Sequence, residues 1–574
     1  MKIQQRVTDL LQQGWSSQKI DPLLLRIYRA RGVRSEEELD LELSRLLPVR
    51  ALKGVEEAAR LLQETLRARR SIVVVGDYDA DGATSSVLAL LALRACGCEK
   101  VSYLVPNRFE FGYGLTPEIV DMAARRQPAL IVTVDNGISS FAGVERARSL
   151  GIRVLITDHH LPGEGLPPAD AIVDPNQPGD DFPSKHLAGV GVIFYVMVAL
   201  QRRLRETGWF QQLDIPLPNP ADWLDLVAVG TLTDLVPLDL NNRILVAQGL
   251  QRIRAGRCRP GLRALLEVAK RPLGRVVASD IGFALGPRLN AAGRLEDMGL
   301  GIECLLTDSE RDAWTMAAEL DELNRSRRVI EQEMQQQAVA LLERSPQFGD
   351  GELPAGLCLY DGGWHQGVVG ILASRIKDQY HRPVVAFADA GEGCLKGSAR
   401  SIKGLHMRDL LDGIATRHPG IISRFGGHAM AAGLSLDAVH LEAFKSAFET
   451  AVEAALEPEM LQGVVLTDGE LPAAALNLET AQVLRDGGPW GQGFPEPLFE
   501  GTFQLLRQRV VGESHLKLHL AAEPGADAVE AIAFNQSALP AETRRLRLAY
   551  RLDVNEFRGL RQPQLIVEYL QSTP

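Results

Sequence analysis

A chain of 574 residues exceeds what one hydrophobic core serves and predicts three or four domains. Hydrophobic content of 45% and charged content of 24% are those of a globular protein, and Met1-Lys2-Ile3-Gln4-Gln5-Arg6 lacks the apolar run of a secretory signal. The net charge of −11 does not exclude nucleic acid, because local fields set affinity and acidic metal ligands lower the total.

Residues 1–70 read as an amphipathic helical segment, with Leu23, Leu24, Ile27 and Tyr28 on its apolar face. From Ser71 the period changes. Ile72–Val75, Val101–Val105, Leu130–Val134, Val154–Ile156 and Ala171–Val173 are short apolar strands. Helical stretches such as Ala83–Ala95, Pro117–Arg126 and Phe141–Leu150 lie between them. Strands alternating with helices predict βαβ units and a parallel sheet over residues 71–305. Asn241 to Arg275 holds eight arginines and Lys270 against Glu267, either a solvated face or a phosphate-tracking surface. Ala313–Glu343 reads as a connecting helix within 306–348, and a second α/β unit follows over 349–458. Short β-like runs in 459–574, among them Phe503–Val511 and Leu516–Leu520, predict a small β-barrel. The longest early apolar run, Val87–Leu93, is too short to cross a bilayer. The six cysteines form no CxxC pair and fit a reduced, cytoplasmic setting.

Chemistry concentrates where the strands end. The first strand runs into Asp77-Tyr78-Asp79-Ala80-Asp81-Gly82, the third into Asp135-Asn136-Gly137 and the fourth into Asp158-His159-His160. In an open parallel sheet, ligands bind outside these carboxyl ends. Aspartates at alternate positions of an extended segment would project to one side, with Gly82 allowing a tight turn into the helix. So many carboxylates repel one another unless cations lie among them, and an oxygen-rich set with an imidazole suits Mn²⁺ or Mg²⁺. Two such ions can clamp a phosphodiester.

VVVGDYDADG, VTVDNG, TDHH and Gly230–Pro237 resemble the four motifs of the DHH phosphoesterases. GPRLNAAGR (286–294), HQGVVG (365–370), GSARS (397–401) and Gly426-Gly427-His428 extend the likeness to the family's single-strand-specific exonucleases. The resemblance implies an α/β fold: a parallel-sheet DHH domain, a long connecting helix, a second α/β (DHHA1-like) domain and an OB-like barrel. It implies a metal-dependent nuclease acting on single-stranded DNA from a 5′ end, in DNA repair and recombination. Asp135 would bridge two metals, Asp79 with Asp77 would hold one, and Asp81, His159 and Asp234 the other. Related pyrophosphatases carry a histidine where Val75 stands, so the first site is weaker or draws on Asp77. His160 would contact substrate, donate a proton, or orient the metal site, and Asp158 would support the ligands. Arg108, Arg288, Asn290, Gln366, Gly367, Ser398 and Arg400 would hold the strand and its terminal phosphate, and His428 would lie near the scissile group. Arg294 is either a phosphate contact or a salt bridge. Trp490 is a domain anchor or a stacking platform, and Phe499, Phe503 and Phe534 are stacking candidates or core. A single-strand-binding protein and a helicase are the implied partners, with no membrane, of a monomer. The alternatives are a hydrolase of short or cyclic oligonucleotides, a non-catalytic single-strand-binding scaffold, and a phosphoacceptor receiver domain.

Overall fold

The computed structural model describes residues 2–6, 15–107, 114–344, 353–512, 515–523, 525, 527–557 and 559–573. The chain divides into two compact units: Gln5–Asp321 with Leu466–Pro574, and Glu322–Val465 with Met1–Gln4.

In the first unit, helix α1 (Val55–Arg67) leads into β1 (Ile72–Gly76), α2 (Ala80–Ala95), β2 (Val101–Leu104), β3 (Leu130–Val134), β4 (Arg153–Thr157) and β5 (Ala171–Val173). The strands pair in parallel in the order β2-β1-β3-β4-β5. Every residue of β1 and β3 is buried. This explains their unbroken Ile/Val/Leu runs, since a parallel sheet is covered on both faces. The order reverses between β1 and β3, so the crevice at their carboxyl ends is the topological switch point.

Three helices complete the layer that carries the site: α3 (Gly189–Glu206), α4 (Leu224–Thr233) and α5 (Gly286–Leu295). The long helix α6 (Glu310–Glu343) spans 34 residues, and the division between the units falls inside it.

The segment before Ser71 departs from a continuous helix. Among the described residues only Pro22–Ala30 and α1 are α-helical, and single 3₁₀ turns at Glu36–Leu39, Leu43–Arg45 and Val49–Ala51 lie between them. Pro48 breaks any helix through that stretch. The segment is not an appendage. Tyr28 stacks on Trp490 and Phe494, and Arg31 pairs with Asp468 at 2.7 Å, both side chains of that ion pair being nearly inaccessible.

In the second unit, β6 (Leu357–Tyr360), α7 (Val369–Tyr380), β7 (Val384–Asp389), β8 (Cys394–Arg400), β9 (Arg424–Gly427) and β10 (Ala431–Asp437) build a mixed sheet ordered β9-β10-β8-β7-β6. Phe387, Phe444 and Phe448 fill its core.

Five strands close the C-terminal barrel: β11 (Phe499–Val511), β12 (His515–Ala521), β13 (Val529–Ala533), β14 (Arg545–Phe557) and β15 (Leu560–Thr573). Five strands in a closed barrel match the OB architecture. Among the described residues, no helix is long and apolar enough to cross a membrane.

Candidate metal centre

The acidic turn after β1 is not extended throughout: Asp79 is, but Asp81 is helical. Helix α2 begins at Ala80, and Asp79 caps it by accepting the Gly82 N–H at 2.9 Å. Asp81 therefore lies in the first helical turn. Gly82 serves close approach instead of a left-handed turn: a Cβ there would lie 2.5 Å from the Asp77 carbonyl oxygen.

Helix α5 braces this turn. The Asn290 carboxamide oxygen accepts the Ala80 N–H at 2.8 Å, and a Cβ on Gly293 would lie 1.8 Å from the Tyr78 carbonyl oxygen. The NAAG stretch is thus the surface on which DYDADG is moulded, and Asn290 is a brace where a substrate contact was expected.

Asp135 follows β3 with φ of +62°, a left-handed conformation that aspartate tolerates better than most residues. The buried Asn136 donates from its carboxamide to the carbonyls of Val75 (3.2 Å) and Val134 (2.9 Å), which ties the ends of β1 and β3 together. Gly137, with φ of +120°, packs where a Cβ would lie 2.6 Å from Thr133 Oγ1.

After β4, Asp158 turns away from the cluster. Its oxygens accept the backbone N–H groups of Ile138 (2.9 Å) and His159 (2.8 Å), and Oδ1 meets His160 Nδ1 at 2.7 Å. Asp158 is the group that holds His160. Asn176, in the turn after β5, donates to the His159 carbonyl at 2.6 Å. Nothing in its sequence surroundings singles out that role.

Three overlapping sets of side chains bring their ligand atoms within 4.8 Å of one another: Asp77, Asp79 and Asp135; Asp81, His159 and Asp234; Asp135, His159 and His160. His159 Nε2 lies 3.1 Å from Asp135 Oδ1 and 3.5 Å from Asp234 Oδ2. Asp77 thus joins the set beside Val75, where the related pyrophosphatases use an imidazole.

The amino end of α3 closes the cluster from above. The N–H groups of Gly189 and Val190 donate to Asp81 at 2.6 and 3.0 Å, adding the positive end of a helix. Two glycines make room. A Cβ on Gly189 would lie 2.6 Å from the Asp135 Cβ, and one on Gly230 would lie 2.6 Å from Asp81 Oδ1.

The electrostatics show a site built for positive charge. Burial first, and then the Asp79 carboxylate, push Asp81 up to about 7. Burial and the repulsion of Asp81 and Asp79 hold Asp135 and Asp234 well above the usual carboxylate range. Burial opposes the charge on His160, but the bond to Asp158 together with the charges of Asp158, Asp234 and Asp77 outweighs it and raises it to about 10. Crowded carboxyls held protonated by one another fit divalent cations, which remove the repulsion. Oxygen donors with an imidazole match Mn²⁺ and Mg²⁺ chemistry.

Protons and cations therefore compete for the same oxygens. The carboxyl groups shed protons as pH rises, so affinity for Mn²⁺ should increase from about pH 6 to about pH 8, with proton release on binding. Titration calorimetry in buffers of different ionisation enthalpy checks this, and a pH-independent affinity would count against the cluster as the binding site.

The remaining expected contacts are distributed as follows. Arg108 falls outside the described residues. Arg288 is mostly buried and paired with Asp321 at 2.7 Å while donating to the Ala284 carbonyl, which is a structural setting. In the second unit, Arg400 donates to Ser374 Oγ (3.1 Å), Ser398 Oγ (2.9 Å) and the Ala399 carbonyl (2.8 Å). No carboxylate pairs with Arg400 among the described residues, and burial lowers its pKa. A Cβ on Gly370, in the first turn of α7, would lie 3.0 Å from Arg400 Nη2, so guanidinium, hydroxyl and helix start are packed together. Nearby, Gln366 donates to the Asp389 carbonyl and the Gly367 N–H to His365 Nδ1. His428 is exposed in the β9–β10 hairpin.

Much of the basic run from Arg243 to Arg275 is engaged in ion pairs and backbone contacts, while Arg257 and Lys270 are exposed. Arg252 pairs with Asp222, Arg263 with Glu310, Arg271 with Asp280 and Arg275 with Glu556, while Arg259 caps the carbonyls of Leu305 and Thr307. Arg243 is buried over the Phe494 ring. Trp490 is a domain anchor, stacked on Tyr28 and Phe494 with its N–H on the Leu484 carbonyl. Phe499 and Phe503 are barrel core, and Phe534 is 53% exposed.

Comparison with known proteins agrees with this anatomy. Residues 71–231 match the DHH family, N-terminal domain; 354–454 match the DHHA1 domain; 467–569 match the RecJ OB domain. The chain is 57% identical over 553 residues to the single-stranded-DNA-specific exonuclease RecJ of Escherichia coli (strain K12), covering 96% of each. It is 52% identical to RecJ of Haemophilus influenzae, again over 96% of each. The crystal structure of RecJ in complex with Mn²⁺ from Thermus thermophilus superposes with a TM-score of 0.80 at 32% identity, covering 100% of this chain and 79% of that one. A second crystal structure, of exonuclease RecJ bound to manganese, gives a TM-score of 0.59 at 35% identity over 72% of this chain and 97% of that one. By near-full-length identity and by all three domain matches, the chain belongs to the RecJ family of single-stranded-DNA-specific exonucleases.

Proposed function

We propose that this chain is a Mn²⁺- or Mg²⁺-dependent exonuclease that hydrolyses phosphodiester bonds of single-stranded DNA from the 5′ end, releasing mononucleotides. The observation that carries the reading is the convergence of Asp77, Asp79, Asp81, Asp135, His159 and Asp234 at the switch point of the parallel sheet. A non-catalytic scaffold has no need of such a costly cluster of buried carboxyls.

Asp77, Asp79 and Asp135 would hold one divalent ion, and Asp81, His159 and Asp234 would hold another. When bound, the ions supply Lewis-acid stabilisation of the phosphoryl oxygens. The protein does the rest. The helix end at Gly189–Val190 fixes the Asp81 carboxylate in one orientation. Asp158 fixes the His160 ring and raises its pKa, which favours a ring that offers positive charge to the phosphate and a proton to the leaving oxygen.

Arg400 and Ser398 form the seat for a 5′-terminal phosphate. A half-buried guanidinium with no carboxylate partner among the described residues, beside a hydroxyl and a helix start, favours a phosphate. Arg400→Ala should raise KM for 5′-phosphorylated strands by about tenfold or more, with little change for 5′-hydroxyl strands. An equal effect on both strands would remove the seat.

The setting is cytoplasmic DNA repair and recombination, with a single-strand-binding protein and a helicase as partners of a monomeric enzyme. The deciding experiment digests a single strand labelled at either end, with and without EDTA. Nucleotide release from the 5′ label first, abolished by EDTA, is the expected result. Release from the 3′ end, or activity that survives EDTA, would reject the reading.

A further inference from the structure

Three apolar side chains stand in solvent beside the acidic cluster. Leu161 directly follows His160 and is 63% exposed, Leu235 directly follows Asp234 and is 65% exposed, and Phe283 is 74% exposed. A lone exposed leucine is ordinary. These three share an address. Leu161 and Leu235 are chain neighbours of groups whose ligand atoms lie within 4.8 Å of others in the same cluster.

Phe283 reaches the same place by packing. It belongs to Ile281–Leu285, a π-helical turn whose other apolar members, Ile281, Ala284 and Leu285, are buried. The turn rests on the end of α4: a Cβ on Gly282 would lie 3.6 Å from the Leu232 carbonyl oxygen, and one on Gly286 2.8 Å from Thr233 Cγ2. Asp234 is the next residue of that helix end. Single π turns concentrate at functional sites.

Leu235 carries the sharpest signal. Its φ is +59°, in the position just past a helix end where glycine normally sits because a Cβ is unfavourable there. A bulky side chain occupies that place, yet most of it lies in water. Glycine would adopt this backbone conformation without the strain.

We propose that Leu161, Leu235 and Phe283 form an apolar lip that holds the sugar and base of the terminal nucleotide being removed. The proposal rests on the nuclease reading and deepens it. The acidic cluster and its cations can grip only the phosphate, which all nucleotides present alike. An enzyme that accepts every base needs a grip without hydrogen-bond readout, and apolar and aromatic surfaces supply one.

The test crosses protein changes with substrate changes, using the full chain and Mn²⁺. The strands carry a 5′-phosphate and either a normal terminal nucleotide or an abasic tetrahydrofuran analogue. The unsubstituted protein should cut the abasic strand on the order of tenfold less efficiently. Leu235→Gly keeps the left-handed backbone without its strain, and Phe283→Ala removes a solvent-exposed ring, so both variants should retain their melting temperatures and Mn²⁺ affinities. Each should lose about tenfold in kcat/KM on the normal strand, through KM, and discriminate little against the abasic one. An abasic penalty as large in both variants as in the parent overturns the lip while leaving the nuclease reading intact. A parent protein that cuts no single strand overturns both.

Discussion

Asp135→Asn abolishes metal-dependent nucleotide release, by on the order of 10³-fold or more, and does so without unfolding the protein. Asp135 occupies the centre of the cluster: it belongs to the set with Asp77 and Asp79 and also lies 3.1 Å from His159 Nε2. Losing its charge weakens both sets of ligands at once. The same change removes a buried carboxyl that burial and four neighbouring aspartates hold well above its ordinary pKa. The sign for stability follows. A carboxyl with a raised folded pKa stabilises the fold at low pH relative to high pH, and that contribution is lost as pH rises from the unfolded value through the folded one. At neutral pH, in EDTA, the amide should therefore melt at or above the temperature of the parent. Strand-digestion rates and calorimetric melting check the two halves. Substantial activity in a preparation free of contaminating nuclease would remove Asp135 from the centre of the mechanism.

Gly189→Ala produces the second large loss, from a single methyl group. The added Cβ would lie 2.6 Å from the Asp135 Cβ and 2.7 Å from its Oδ1, distances that real Cβ atoms do not adopt. One of the two must move. If the helix end retreats, Asp81 loses the N–H donors at 2.6 and 3.0 Å; if Asp135 retreats, the two ligand sets part. Overpacking of this kind costs about 1–3 kcal/mol of stability, and the activity should fall by about 100-fold. Mn²⁺ affinity by titration calorimetry should fall with it. A variant with parental Mn²⁺ affinity and rate would show that α3 does not shape the site.

Much of the chemistry was legible in the chain. Strands of a parallel sheet all end on one edge, so acidic residues after three of its strands had to share a rim whatever the strand order. Connectivity alone therefore places Asp135 and His159 at one rim. The barrel is legible through its alternating runs, although the five residues of Val529–Ala533 carry little pattern. The segment before Ser71 looks helical from its leucine spacing, but Pro48 interrupts it and short 3₁₀ turns replace a continuous helix.

What the linear order could not decide was partnership between distant segments. The sequence does not show that Arg288 pairs with Asp321, or that most arginines of 243–275 meet an acid or a carbonyl. Asn290, Asn136 and Asn176 brace the site through bonds to residues 210, 61 and 17 positions away. The chain alone determined which groups stand at the ends of which strands, because alternation and connectivity are local properties. Only the tertiary structure decided the switch point between β1 and β3, the glycines that let helices approach two carboxylates, and which charges are neutralised. Those depend on the packing of surfaces that are far apart in sequence, and no local pattern records them.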